Sequence, residues 1–425
     1  MNFNVWSMPI NFKKILLFLD ALFLILASTT VFVTSFTFNS RYITIPFMGL
    51  LLLTMVYYLR DLDKLQRFFY VVVITSIIFL TFYVLNSTYT NINLGEKGYK
   101  LIAKFCFVLP VFYLILSDKE DGFKLLEYFY YIMLILAFIS IIFFFLVNFA
   151  SIPHTGVIES NWNFEDKYYE SYLGIFYTNQ EYKLFHVLHI YRNQSIFTEG
   201  PTYGIMLSTA LAIGLMRKKV NHLFNIILVV AALTSISYAT ISAMIVIYGT
   251  YIIFKIYDTK KISQLLLIIL PVIVIAGGIT ISIMLDYKQD TASFNTRNDD
   301  YRACFATFEQ YPLFGCGMMN DKVIFSNMYK YREYSLSNGF GTLLAQTGVV
   351  GVGLVSIIYG IGIVNSMNKN KYNLLLIGAM IINHVLLVGV FSYEFILVLA
   401  FMLSLSPRLL LYEDDIDIKE ELLLY

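Results

Sequence analysis

The sequence predicts an all-α, polytopic membrane protein with about 12 transmembrane helices and two long extracytoplasmic loops. Of the 425 residues, 58% are hydrophobic and only 14% are charged, whereas about 25% of the residues in a soluble domain are charged. Apolar runs recur along nearly the whole chain, and a bilayer requires about 20 mainly apolar residues for each helical crossing. Lysine and arginine are also distributed unevenly between successive connections, as expected of segments on alternating sides of a membrane.

The apolar runs divide the chain into twelve candidate spans. The first run follows Lys13 and Lys14 and continues to Phe36, which is longer than the apolar region of about 7 to 15 residues in a cleaved signal peptide. We therefore predict a retained first helix. The twelve runs cover residues 15–37, 43–59, 68–85, 99–116, 128–150, 202–216, 222–236, 239–254, 263–285, 339–365, 373–388 and 393–407.

The charges of the connections predict the orientation of these spans. If the amino terminus is cytoplasmic, the inner segments contain 17 basic residues, and the short outer loops contain two, Arg41 and Lys97. This bias predicts an even number of spans and both termini in the cytoplasm. The inner basic residues are Lys13, Lys14, Arg60, Lys64, Arg67, Lys119, Lys124, Arg217, Lys218, Lys219, Lys255, Lys260, Lys261, Lys369, Lys371, Arg408 and Lys419.

The chain is thus predicted to consist of three groups of helices separated by two long outer loops. The net charge of +1 and the lack of a basic tract exclude a nucleic-acid partner. Cys106, Cys304 and Cys316 form no CxxC pair, so the cysteines predict neither a metal site nor a redox site. The predicted regions are helices 1–5 in 1–150, an outer loop in 151–201, helices 6–9 in 202–285, a second outer loop in 286–338, helices 10–12 in 339–407 and an acidic cytoplasmic tail in 408–425.

The first motif, RNQSIFTEGPTYGIML, begins at Arg192, where the first long loop re-enters the membrane. The planar guanidinium of Arg192 suits a phosphate or pyrophosphate, and Glu199 beside an apolar segment is a candidate base. A structural ion pair or a membrane anchor is the alternative for these two residues. His186 and His189 would share one face of a helix with Arg192, which makes His189 a second candidate base unless that helix is only an interfacial anchor.

The second and third motifs lie around the second long loop. In TRNDDYRACFATFEQYPLFGCGMMN, Arg297, Tyr301 and Arg302 precede an amphipathic stretch and a Pro-Leu-Phe-Gly-Cys-Gly segment. In SNGFGTLLAQTGVVGVG, from Ser337 to Gly353, small residues open a helix and allow close helix packing.

These three segments, in this order, resemble the O-antigen ligase and Wzy polysaccharide polymerase superfamily. The family pattern R-x-x-(S/G)-x-F-x-E-x-P is matched by Arg192, Ser195, Phe197, Glu199 and Pro201. The pattern of an arginine followed by an amphipathic helix and P-L-F-G-x-G is matched by Arg297, Pro312, Leu313, Phe314, Gly315 and Gly317, and the pattern (H/S)-N with a later G-x-x-G by Ser337, Asn338, Gly348 and Gly351. The resemblance covers about residues 190 to 355. Ligases often have His where Ser337 stands, which favours a polymerase.

The resemblance implies a metal-independent, cofactor-free glycosyltransferase at the outer face of the bacterial cytoplasmic membrane. Its donor would be an oligosaccharide on undecaprenyl pyrophosphate, and its partners would be membrane lipid and a chain-length regulator and flippase of the same pathway. Arg192, Arg297, Glu199 and His189 are the catalytic candidates, and Arg302, Asn338, Tyr203 and Tyr301 the substrate-binding ones. The alternatives are a ligase that transfers a finished glycan to its final acceptor and a non-enzymatic flippase or transporter.

Overall fold

The computed structural model is mostly helical and compatible with a membrane protein. It describes residues 10–36, 40–60, 62–90, 96–162, 165–184, 188–258, 292–318, 320–329, 336, 338–386 and 391–405. Five segments in the described part of the chain are long and apolar enough to cross a membrane: Arg41–Tyr58, Tyr99–Ser117, Lys119–Ala150, Tyr238–Asp258 and Gly339–Lys369. Shorter apolar helices lie between them.

The described helices follow the predicted apolar runs. Eleven of the twelve runs overlap described helices, although the run 15–37 is broken after Ala27 and resumes only as a short helix from Val31 to Thr34. The remaining run, 263–285, lies outside the described residues, as does the tail 408–425. The helices are α1 Ile10–Ala27, α2 Val31–Thr34, α3 Arg41–Tyr58, α4 Leu62–Thr90, α5 Glu96–Ala103, continued by a π-helical turn Lys104–Val108 into α6 Leu109–Ser117, α7 Lys119–Ala150, α8 Gly200–Met216, α9 His222–Thr234, α10 Tyr238–Asp258, α11 Ala292–Gln310, α12 Asp321–Ser326, α13 Gly339–Lys369, α14 Asn373–Leu386 and α15 Tyr393–Ser404.

Helix α8 is the central helix of the bundle. It packs against α7, α9, α10 and α14, and its residues from Tyr203 to Leu215 are buried. A helix that is apolar on all sides is stable only when other helices surround it. Gly204 permits the closest approach, because a Cβ at this position would lie 1.7 Å from the hydroxyl oxygen of Thr240 on α10. The loop that enters α8 is therefore fixed to a largely buried helix of the described bundle.

The first long loop contains strands, which the all-α prediction omitted. β1 Gly156–Trp162, β2 Glu165–Tyr172 and β3 Phe176–Thr178 form one antiparallel sheet, and β4 Glu181–Leu184 pairs with β5 Leu188–Tyr191. These segments are rich in aromatic residues, which favour the pleated surface of a sheet. The helix predicted through His189 and Arg192 is wrong, because His189 lies on β5 opposite Lys183. His186 is outside the described residues.

The second long loop is partly helical. Arg297, Tyr301 and Arg302 lie within α11, rather than before the amphipathic stretch as the sequence suggested. This region has its own small core, formed by Ala303, Cys304, Cys316, Ile324, Phe325, Met328, Leu336 and Ala345. Helix α11 packs along α13. The second region is therefore a compact unit attached to the start of α13.

Candidate functional site

The segment 192–199 is held between the ends of several helices. The backbone N–H of Val31 donates to the carbonyl of Ile196 at 2.9 Å, and that of Thr198 donates to Thr29 at 3.2 Å. On the other side, the N–H of Asn193 donates to the carbonyl of Thr234 at 3.1 Å. Backbone hydrogen bonds to three helix ends fix the path of this loop, so Arg192 and Glu199 occupy defined positions above α8.

Arg192 follows β5 and is partly exposed. Its guanidinium carbon lies 4.8 Å from the centre of the Tyr182 ring, a cation–π contact. Burial lowers the pKa of Arg192. Tyr182 and Glu199 act in the opposite direction and favour its charged form, whereas the charge of Arg297 lowers the pKa further. An arginine remains protonated under such influences. Its Nε is buried without a hydrogen-bond partner, so part of the donor fork is unused within the protein.

Glu199 immediately precedes α8, with extended backbone angles, φ −161° and ψ 158°. Its carbonyl accepts a hydrogen bond from the N–H of Tyr203 at 3.1 Å, while its carboxylate makes no capping bond to the helix. Burial, followed by the charge of Glu199, raises the pKa of Tyr169, and the Tyr169 hydroxyl donates to the carbonyl of Thr198 at 3.1 Å.

Arg297 brings the second region to the same place. It lies on α11 and is close enough to Arg192 for the two positive charges to influence each other. Tyr301 lies one turn along α11 on the same face. Burial raises the pKa of the Tyr301 hydroxyl, and Arg297 opposes that rise. Two guanidinium groups that approach from separate segments favour a shared anion, because an anion relieves their mutual repulsion.

The structure does not bring every predicted residue to this cluster. The Nδ1 atom of His189 lies 2.8 Å from Oε1 of Glu181, and the His189 side chain is 50% exposed. That pairing gives His189 a cross-strand partner on the surface of the β4–β5 hairpin. Arg302 is exposed on α11, five residues after Arg297 and therefore on a different face of the helix.

Tyr203 and Asn338 are buried beneath the surface rather than presented on it. The ring of Tyr203 stacks on Phe197 with a centroid distance of 5.4 Å, and its hydroxyl lies 2.9 Å from that of Ser140. Tyr203 therefore supports the loop 192–199 from below. Asn338 precedes α13 with a 1% exposed side chain, and its Nδ2 lies 3.8 Å from Sγ of Cys304. Ser337 is outside the described residues.

The Pro-Leu-Phe-Gly-Cys-Gly segment contacts a break in α13, and glycines lie on both sides of this contact. We call residues 312–317 together with residues 345–350 the glycine junction. Gly348 has φ +62° and ψ −167° and interrupts the helix. The N–H groups of Val349 and Val350 donate to the carbonyls of Pro312 and Leu313 at 2.9 and 3.2 Å, and the N–H of Cys316 donates to the carbonyl of Ala345 at 2.8 Å. The segment thus satisfies backbone groups that the break leaves without helical partners.

Sequence reasoning missed several residues of the cluster. The hydroxyls of Tyr182 and Tyr238 lie 3.1 Å apart, and both side chains influence the charge of Arg192. The abundance of tyrosine and amide side chains in the first loop was visible in the sequence, but strand pairing selects which of them face Arg192. The described residues contain no cluster of three or more His, Cys, Asp or Glu side chains that could hold a metal ion.

The assembled cluster contains two cations, a carboxylate and tyrosine hydroxyls. Such a set can bind a diphosphate and accept a proton from a hydroxyl group. No protein-family model and no curated protein matches this sequence.

Proposed function

We propose that this protein is a polysaccharide polymerase that joins oligosaccharide units carried on a polyprenyl pyrophosphate at the outer face of the bacterial cytoplasmic membrane. The chain would cross the membrane about 12 times, with both termini in the cytoplasm and both long loops outside. The observation that carries the proposal is that the charges of Glu199 and of Arg297, which lie on different loops, both act on Arg192. The sequence resemblance supplies the expected substrate.

The reaction follows from the charges of the cluster. A hydroxyl oxygen of the acceptor sugar attacks the anomeric carbon of the donor, and a new glycosidic bond forms. The bond between that carbon and the pyrophosphate oxygen breaks, and its electron pair leaves with the lipid pyrophosphate. Glu199 takes the proton of the acceptor hydroxyl. Arg192 and Arg297 neutralise the charge that develops on the leaving group.

Two guanidinium groups are suited to this task for a physical reason. Cations that are already in place when charge builds up require no reorganisation during the reaction. The contact of Arg192 with Tyr182 and the backbone bonds around segment 192–199 hold one cation in position. Helix α11 holds the other.

A clean deletion strain tests the proposal through the length of the surface glycan. We expect only single units in the deletion strain, and restoration of long chains by the wild-type gene. Complementation with Arg192→Ala or Arg297→Ala should reduce chain formation by about 100-fold, since removal of one charge-stabilising group commonly has such an effect. Full restoration by both variants would refute the proposal.

The same strain distinguishes the alternatives. A ligase would leave long chains attached to the carrier lipid when it is lost. A flippase would leave lipid-linked single units at the inner face of the membrane, where an enzyme added to intact spheroplasts cannot reach them. A polymerase would leave such units accessible at the outer face.

A further inference from the structure

Buried polar atoms without partners are concentrated around Arg192. In the described part of the chain, 13 buried side-chain nitrogen or oxygen atoms lack a hydrogen-bond partner, and five of them belong to Asn179, Gln180, Arg192 and Gln194. A buried polar atom without a partner is destabilising, and native proteins contain few of them. Such a concentration in one short stretch indicates a place where another molecule supplies the missing partners.

Backbone hydrogen bonds show how these side chains are arranged. The N–H of Arg192 donates to the carbonyl of Gln180 at 3.1 Å, and the N–H of Tyr177 donates to the carbonyl of Ser195 at 3.0 Å. Both bonds continue the register of the β4–β5 hairpin, in which Glu181 is opposite Tyr191. Gln180 is therefore opposite Arg192, and Gln194 is two residues further along.

Alternate residues of an extended segment face the same side. Gln180, Arg192 and Gln194 consequently share one face, while Asn193 between them faces the helices. Its Nδ2 donates to the hydroxyl oxygens of Ser140 at 3.0 Å and Thr234 at 2.9 Å. Gln180 and Arg192 are partly exposed, and Gln194 is fully buried. The two glutamines thus flank the guanidinium, one at the surface and one beneath it.

The missing partners must include both donors and acceptors. The amide oxygen and the amide nitrogen of Gln194 are both unpartnered, so the conclusion does not depend on how its amide group is oriented. Nε of Arg192 needs an acceptor, and Oε1 of Gln180 needs a donor. A pyrophosphate offers acceptors only. A sugar hydroxyl offers both a donor and an acceptor in one group.

We propose that Gln180 and Gln194 form a saccharide subsite that binds hydroxyl or acetamido groups of the sugar nearest the pyrophosphate. This assignment rests on the proposed function, since it assumes that Arg192 binds the pyrophosphate. The glutamines select the sugar, and the arginine holds the leaving group. With this subsite, the protein recognises the glycan of the donor as well as its lipid carrier.

Binding to the full-length protein in lipid nanodiscs tests this subsite with two probes. One is undecaprenyl pyrophosphate, and the other is the undecaprenyl-pyrophosphate-linked glycan that accumulates in cells lacking this protein. We expect Gln180→Leu and Gln194→Leu each to weaken binding of the glycan-bearing lipid about fivefold, the effect of one lost hydrogen bond. Binding of the sugar-free lipid should remain unchanged. Gln66→Leu, at an exposed glutamine of α4, is the matched control and should alter neither.

The outcomes separate the subsite from the proposed function. If the wild-type protein binds neither probe, the proposed function fails. If it binds both equally, or if the leucine variants weaken both equally, the subsite is refuted while pyrophosphate binding stands. Unchanged binding of the glycan by both variants also refutes it.

The unfolding temperatures of the variants distinguish a lost sugar contact from a purely structural effect. Removing an amide that has no partner should leave the unfolding temperature of Gln194→Leu unchanged or higher. Ordered water alone would make the same amide structural, and Gln194→Leu would then lower the unfolding temperature without a selective loss of glycan binding. If Gln194→Leu does not fold, the partly exposed Gln180→Leu decides the outcome by the same two-probe comparison.

Discussion

The two long loop regions are held to the helices by different means. The first contains, in its described residues between 151 and 199, two small sheets, and it packs Tyr172, Phe176 and Ile190 against Phe144 and Val147 near the end of α7. The second, residues 292–329, consists of helices around a separate core and is joined to α13 through the glycine junction. The first is fixed by strand pairing, by side-chain packing and by the backbone hydrogen bonds of segment 192–199. The second is fixed by its own core, by the packing of α11 along α13 and by the backbone contacts of the glycine junction.

The two regions also differ in how they accommodate left-handed backbone. In the first, Leu173 and Ser195 have positive φ values of +54° and +52°, whereas in the second Gly315 and Gly317 have +74° and +114°. Only glycine adopts this conformation without a steric cost. Tight backbone contact therefore dictates glycine in the second region, while the first region tolerates side chains at some cost in stability.

Gly348→Ala should have the largest effect on stability, because its new methyl group lies within the glycine junction. A Cβ at Gly348 would lie 2.3 Å from the carbonyl oxygen of Leu313, and the left-handed backbone adds a further cost. We expect a loss of about 2 to 5 kcal/mol, measured as a lower unfolding temperature and a lower yield of folded protein.

Gly353→Ala is the matched control on the same helix. No atom lies within 4 Å of a Cβ at this position, so alanine should stabilise α13 by about 0.5 to 1 kcal/mol through its helix propensity. Equal destabilisation by both substitutions would show that the junction is not the sensitive element.

The double variant Arg192→Ala/Arg297→Ala should be the next most informative change. If the two regions form one site, each single substitution should reduce glycan polymerisation about 100-fold. The fold-reduction in the double variant should then be far smaller than the product of the two single fold-reductions. A fold-reduction in the double variant equal to that product would show that the arginines act separately. Lys322→Ala, at an exposed lysine of α12, should leave polymerisation unchanged.

Leu173→Gly should stabilise the first region by about 1 kcal/mol, since it removes the steric cost of positive φ. Leu173 is 68% exposed, so little packing is lost. The neighbouring Gly174 has φ +70°, and Gly174→Ala should act in the opposite direction. The unfolding temperatures of the two variants relative to the wild type measure both effects, and destabilisation by Leu173→Gly would show that this turn is not strained.

The smallest effect concerns the thiols of the second region. Burial raises the pKa of Cys304 and of Cys316 to about 12, so almost no thiolate is present at pH 8 in the folded protein. Maleimide should label both cysteines in denaturant and neither in the native protein. Since the ordinary pKa of these thiols is about 9, this contribution to stability is complete below pH 9 and declines as the pH rises towards 12. Rapid native labelling at pH 8 would show that the second core is open.

The sequence predicted the helices well and the two long loop regions less well. Periodicity and apolar length are local properties, so eleven of the twelve runs overlap described helices. The strands of the first loop were missed because short hairpins depend on cross-strand partners. His189 illustrates the difference. Its spacing of three residues from Arg192 suits one face of a helix, but in the structure His189 is paired with Lys183 in a hairpin.

The sequence by itself determined the apolar helices, the three motif segments and the candidate cations and carboxylate. Composition and residue order suffice for these features because they depend on local transfer energies and spacing. The tertiary structure was needed to show that the charge of Arg297 acts on Arg192, that Tyr203 and Asn338 are buried, and that Gly348 breaks α13 where residues 312–317 contact it. These are contacts between residues far apart in the chain, and their geometry depends on how the whole bundle packs.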